Sequence, residues 1–188
     1  MRKTIQALEM SLAFMTFVIL ALGLPEAKAM TAAEIDVDVQ KALTDLYGQS
    51  ETARDFGAVA KGILVFPTVY KAGFLVGASF GDGALLKNGK TAGYYRSLEA
   101  SYGLQIGAQS FGYVLFFMKN DALEYLDKSA GWEIGVGPSL VVVDKGFASS
   151  MTTMTAKDDI YAFFFDQKGL MGGLGLKGSK ITRILTRT

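Results

Sequence analysis

Past Asp166 the chain carries no acidic residue, only Lys168, Lys177, Lys180, Arg183 and Arg187. In strand geometry Lys177, Ser179 and Arg183 share one face, and Lys180 falls on the other beside Leu174 and Leu176. Basic groups set among apolar residues and glycines can engage lipid phosphates, at about 1 kcal/mol per Lys or Arg near an anionic surface. Lysines also guard an exposed strand against edge-to-edge pairing, and both readings stand for this stretch. Lys61 and Lys71, which flank the first strand region, are the next basic candidates.

Other chemistry is excluded by what is missing. The chain has no histidine and no cysteine, which removes the Ser-His-Asp triad, thiol nucleophiles, disulfides and zinc sites built on those ligands. Gly173-Leu174-Gly175-Leu176-Lys177-Gly178 matches a GxGxxG string, but no helix and no acidic residue follow it, so a dinucleotide site is rejected. A P-loop fails too, since Gly178 is followed by Ser179-Lys180. Asp158 and Asp159 are adjacent and would point to opposite faces of a strand. Glu133 and Asp144 would need a tertiary contact to act together as paired carboxylates. No cofactor or metal is expected, and catalysis is not.

The elements that must position these residues begin after an export signal. Arg2 and Lys3 precede an uncharged, mostly apolar run at 10–24, and Ala27-Lys28-Ala29 supplies the small-x-small pattern of a cleavage site. That run is shorter than the roughly 20 residues needed to cross a bilayer. Residues 1–29 are therefore expected to be a signal peptide and 30–188 a single domain, exported to the periplasm or secreted. Retention of the segment as an uncleaved anchor is the alternative. The whole chain has a net charge of +1 and the processed chain is neutral, so no global field attracts nucleic acid.

Thr31-Ala32-Ala33-Glu34 fits a capping box, and Ile35, Val39, Ala42, Leu43 and Leu46 follow at helical spacing until Gly48. A second short helix is expected from an N-cap at Ser50 to Lys61. Ile63-Leu64-Val65-Phe66 reads as a strand closed by Pro67. Asn88-Gly89 reads as a type I′ hairpin turn, and residues 121–129 as a short helix with Gly131 as its cap. Period-two alternation marks 74–81, 101–109 and 132–139, each with apolar residues on one face and, apart from Leu75, glycine or polar residues on the other. The apolar face is the one expected to be buried. The bare face has two readings: glycines that let the sheet bend or another backbone approach, as in a small closed barrel, or a groove lined by main chain. The expected fold is α+β, a curved, antiparallel, barrel-like sheet with the two N-terminal helices packed on it.

Several ordered blocks resemble the SYLF domain family. They are Lys61-Gly62-Ile63-Leu64-Val65-Phe66-Pro67, Lys71-Ala72-Gly73-Phe74, Gly83-Ala84-Leu85-Leu86, Ser101-Tyr102-Gly103-Leu104-Gln105-Ile106-Gly107, Gly131-Trp132-Glu133-Ile134-Gly135-Val136-Gly137-Pro138, Asp159-Ile160-Tyr161-Ala162-Phe163 and Gln167-Lys168-Gly169-Leu170-Met171. The resemblance runs from about Ala32 to Arg183. It implies a lipid-binding module whose eukaryotic members bind phosphoinositides and related acidic lipids. Those members join actin-regulating assemblies through attached Src-homology-3 or FYVE domains, and use a basic or amphipathic N-terminal segment at the membrane. Here the corresponding helix carries Glu34, Asp36, Asp38 and Asp45, which anionic lipid repels.

The reading that follows is a non-enzymatic, envelope-located binder of acidic phospholipid or membrane surfaces, with Lys168, Lys177, Lys180, Arg183, Lys61 and Lys71 as headgroup contacts. The alternative is an envelope scaffold that binds a protein partner through a glycine-rich sheet edge. An integral outer-membrane β-barrel is a third possibility, opposed by the helices and by a C-terminus ending Arg187-Thr188.

Overall fold

The computed structural model describes residues 30–143, 157–169, 176 and 178–186. The expected signal segment, Asp144 and Lys177 lie outside the described residues. Helices α1 (Ala32–Gln49) and α2 (Glu51–Val59) precede strands β1 (Gly62–Lys87) and β2 (Lys90–Phe117). Helix α3 (Asn120–Lys128), a two-residue strand β3 (Trp132–Glu133), β4 (Leu140–Val143), β5 (Ile160–Gly169) and β6 (Lys180–Ile184) complete the order.

The Thr31 capping box is formed, with the threonine hydroxyl accepting from the Glu34 amide and the Glu34 carboxylate accepting from the Thr31 amide. Helix α1 runs through Gly48 and is capped by Ser50, whose side chain also accepts from the Ala53 amide to start α2. The apolar face of α1 is buried as its spacing predicts: Ile35, Val39, Ala42, Leu43 and Leu46.

The sheet is one long hairpin with shorter strands added to it. β1 and β2 pair antiparallel from Gly62↔Phe117 to Lys87↔Lys90. The turn is the expected one, with Asn88 at φ 51° and Gly89 at φ 73°. Along its other edge β2 is shared: β5 pairs with its C-terminal half and β6 with residues 94–98. β3 pairs with β6, and β4 adds to β5 in parallel.

A straight 26-residue strand would run about 85 Å, several times the radius of gyration of about 15 Å expected for a domain this size. The ribbon therefore doubles back on itself. Val65 from its beginning and Ala84 and Leu86 from the far end of β1 share one core with Ile35, Val39 and Phe56 of the helices. A Cβ placed on Gly83 would fall on the Val65 carbonyl oxygen, and one on Gly81 would lie 2.7 Å from the Thr68 carbonyl. At the bend, a Cβ on Gly73 would meet the Gly77 Cα at 2.6 Å. Of the two readings of the bare face, close backbone approach holds at Gly81, and it recurs just outside that segment at Gly73 and Gly83.

The helices cover the outer side of the doubled ribbon near both its ends. Phe56 there meets Tyr161 and Phe163 edge-on, with centroids 4.8 and 5.8 Å apart; such pairs add about 0.5–1.5 kcal/mol each beyond burial. The inner side packs a second core with α3, Trp132, Ile134 and Ile181. The fold is thus α+β with a curled, largely antiparallel sheet, as expected.

Several local expectations are corrected. The first strand does not stop at Pro67: a bulge between Phe66 and Val69 places the proline where the ladder is already interrupted, so its missing N–H costs no cross-strand bond. Residues 132–139 are not a strand beyond Glu133, because Gly135 and Gly137 take φ 105° and 87° and the Trp132 indole N–H donates to the Val136 carbonyl at 2.9 Å. Helix α3 ends at a Ser129 cap, ahead of Gly131. Asp158 and Asp159 precede β5 in a bend, where Asp159 accepts from Lys119 Nζ at 2.7 Å and from the Ser139 amide at 2.8 Å.

Candidate functional site

The largest departure from expectation lies at the bend of the ribbon, away from the helices. In 74–81 the apolar face was expected to be buried. Instead, among the described side chains, Val76 is 56% exposed and Phe80 42% exposed, while Gly77, Ser79 and Gly81 are buried. Tyr70 at 65% and Leu98 at 45% extend the same outward face, with exposed Ala72, Ala78, Ala100 and Ala108 among them. Residues paired across an antiparallel ladder point to the same side, so Phe80 and Leu98, and Ala78 and Ala100, are direct neighbours on it.

The inward face of the same stretch is polar. Lys71 is only 7% exposed, and its ammonium donates to Glu99 Oε1 at 3.0 Å; Ser79 Oγ donates to the other carboxylate oxygen at 3.4 Å. The Tyr113 hydroxyl donates to Ser97 Oγ at 2.8 Å, and burial holds this phenol well above its usual pKa. Gln109, 5% exposed and opposite Lys71 in the ladder, has no hydrogen-bond partner for either amide atom. At the rim Arg96 makes a bidentate pair with Asp82 at 2.7 and 2.9 Å, with its guanidinium 4.7 Å from the centre of the Phe80 ring. That pairing raises the arginine pKa further.

The basic residues singled out from the sequence divide by place. Lys168 is exposed on β5 in the cross-sheet row Tyr70, Ser110, Lys168. Lys180 is exposed on β6 in the row Phe80, Leu98, Lys180, Glu133. These two therefore border the outward apolar face on its β5 and β6 sides. Lys71 is turned inward into its ion pair and presents no ammonium to the surface. Arg183 is exposed, but Nη2 donates to the Ala92 carbonyl at 3.3 Å, near the hairpin turn. Lys61 is exposed at the helix-covered end, where its amide donates to the Phe117 carbonyl.

Sequence reasoning missed Tyr70, Val76, Phe80 and Leu98 as surface residues. Their period-two pattern was visible, but such a pattern does not say which face meets water. The inward polar residues Lys71, Ser79, Ser97, Glu99 and Gln109 share one ladder face and were the available signal.

Asp36, read as part of an acidic helix surface, is structural. It accepts from Thr91 Oγ1 at 2.8 Å and from the Tyr94 hydroxyl at 3.0 Å, tying α1 to the hairpin. A cleft of about 470 Å³ lies nearby, lined by Leu43, Tyr47, Ile63 and Asn88 among others. Among the described residues no three His, Cys, Asp or Glu side chains converge to hold a metal. None of their helices is long and apolar enough to cross a membrane.

The fold is thus a curled sheet that shows an apolar face to solvent at its bend and pairs its polar groups inside. Residues 98–184 match the family model Ysc84, described as Las17-binding protein actin regulator. The matched span opens within β2 and closes with β6, taking in both Lys168 and Lys180. No curated protein matches the chain.

Proposed function

We propose that this protein is a non-enzymatic binder of acidic phospholipid surfaces in the cell envelope, exported by the segment 1–29. The observation that carries the reading is the placing of Lys168 and Lys180 in the same outward rows as Tyr70, Phe80 and Leu98. Apolar side chains bordered by lysines suit a headgroup region, where the chains leave water and the ammonium groups meet phosphate. The exposed acids of the domain lie largely on the helices, Glu34, Asp38, Asp45, Glu51 and Asp55 among them; Glu133 stands opposite Lys180 in the ladder, and Asp166 lies two residues before Lys168 on β5. A protein scaffold working through a glycine-rich sheet edge draws less support, since Gly77, Gly81 and Gly83 face into the fold.

The test is co-sedimentation of the chain beginning at Met30, which holds every described element, with vesicles of graded anionic content at low and high salt. Binding is expected to rise with anionic lipid and to fall with salt. The paired reversal Lys168→Glu and Lys180→Glu is expected to weaken it by about several hundredfold, at about 1 kcal/mol per charge removed and again per charge reversed. Binding unchanged by that reversal would withdraw the two lysines, and no binding to any vesicle would withdraw the lipid surface.

A further inference from the structure

We infer that the bend of the β1–β2 ribbon is a membrane-entering tip: Tyr70, Val76, Phe80 and Leu98 pass between the headgroups of an anionic bilayer while α1 and α2 remain in water. The inference rests on the lipid-surface reading above and adds which part of the molecule enters and in what orientation.

Three observations converge on it. First, polarity is inverted at the bend. A β-ribbon in water turns its larger apolar side chains inward. Here, among the described side chains, Tyr70, Val76, Phe80 and Leu98 face out, and the inner face holds Lys71, Ser79, Ser97, Glu99 and Gln109. That arrangement is unfavourable against water and favourable against lipid.

Second, the ionisable groups described within the bend are already paired. Lys71 binds Glu99 inside, and Arg96 holds Asp82 with two hydrogen bonds at the rim. Entry into a medium of low dielectric therefore strips water from no isolated charge, which is the largest penalty a membrane imposes.

Third, charge fixes the orientation. Lys168 and Lys180 border the bend, whereas the solvent side of α1 and α2 carries Glu34, Asp38, Asp45, Glu51 and Asp55 against Lys41 and Arg54, which pair with Asp45 and Glu51, and so stays net acidic. An anionic bilayer attracts the first end and repels the second. The depth that an interfacial apolar face reaches is about 5–10 Å, which leaves the lysines at phosphate level and suits the Tyr70 ring with its polar tip.

The chain has no cysteine, so single cysteines can report position without background. Val76→Cys, Leu98→Cys and, on the exposed side of α1, Val37→Cys would each carry an environment-sensitive fluorophore on the chain beginning at Met30. The probe is a phosphatidylglycerol–phosphatidylcholine vesicle. Labels at 76 and 98 are expected to shift to the blue and to be quenched by a shallow lipid-borne quencher, with no change at 37.

Co-sedimentation with silent labels at 76 and 98, or with a response at 37, would overturn the tip while leaving lipid binding intact. Absence of co-sedimentation removes both. A blue shift at 76 and 98 that grows with protein concentration in the absence of vesicles would assign the face to a second copy of the chain instead. Leu98→Asp on the unlabelled chain gives an independent reading: at least a tenfold loss of vesicle binding is expected, with near-ultraviolet circular dichroism unchanged. An unchanged affinity would count against the tip.

Discussion

The ammonium of Lys71 lies 3.0 Å from the Glu99 carboxylate across 28 residues of chain, although the ladder pairs Lys71 with Gln109 and Glu99 with Ser79. Only the curl of the ribbon brings them together. The pair is the polar centre of the bend, and it sits there with both side chains about nine-tenths buried.

Removing one partner leaves the other buried and uncompensated, a loss of about 3–5 kcal/mol. Lys71→Met and Glu99→Gln are each expected to be strongly destabilising in urea titration, and the double substitution much less than their sum. A double-mutant cycle gives the coupling directly. A coupling near zero would mean that the bend is held by its backbone alone.

Glycine substitutions separate close packing from open space. Gly83→Ala drives a methyl onto the Val65 carbonyl and is expected to cost about 1–3 kcal/mol. Gly48, inside α1, has nothing within 4 Å of a Cβ, so Gly48→Ala is expected to stabilise by about 0.5–1 kcal/mol. Thermal melts of the two variants should move in opposite directions.

Asp159 links the end of β2 to the starts of β4 and β5 through Lys119 and Ser139. The hydrogen bond from Lys119 holds its pKa below the usual carboxylate value, helped by the Ser139 amide. A carboxylate with a lowered folded-state pKa stabilises the fold above its ordinary pKa, and that contribution disappears as pH falls through the lowered value. The difference in urea midpoint between wild type and Asp159→Asn should therefore be present at pH 7 and shrink in acid. A difference that persists unchanged below pH 3 would assign the effect to packing.

Glu133 stands opposite Lys180 at the end of the row that contains Phe80 and Leu98. Glu133→Gln removes the acid beside the lysine without touching the core, since the side chain is exposed. Affinity for anionic vesicles is expected to rise about fivefold, the equivalent of roughly 1 kcal/mol per charge, and the gain should vanish in high salt. A loss of affinity would place β6 away from the lipid.

Local features were legible in the sequence wherever neighbouring residues decide them. The Thr31 capping box, the buried stripe of α1, the Ser50 cap and the positive-φ turn at Asn88-Gly89 rest on interactions within a few residues. The α+β character and the curl also followed, because alternating apolar residues with glycines on the opposite face call for a bent sheet.

What the tertiary structure alone decided was which face of that sheet is inside. A period of two defines two faces and is silent on their environment. Near Leu85 the helices and α3 cover both sides of the ribbon. Near Val76 the ribbon folds onto its own glycine side, so the apolar side faces out and Lys71 finds Glu99. The same long-range fold put Lys168 and Lys180 beside that outward face and turned Lys71 away from it. Local composition set the strands, and the sequence-distant return of β1 on itself set their sidedness.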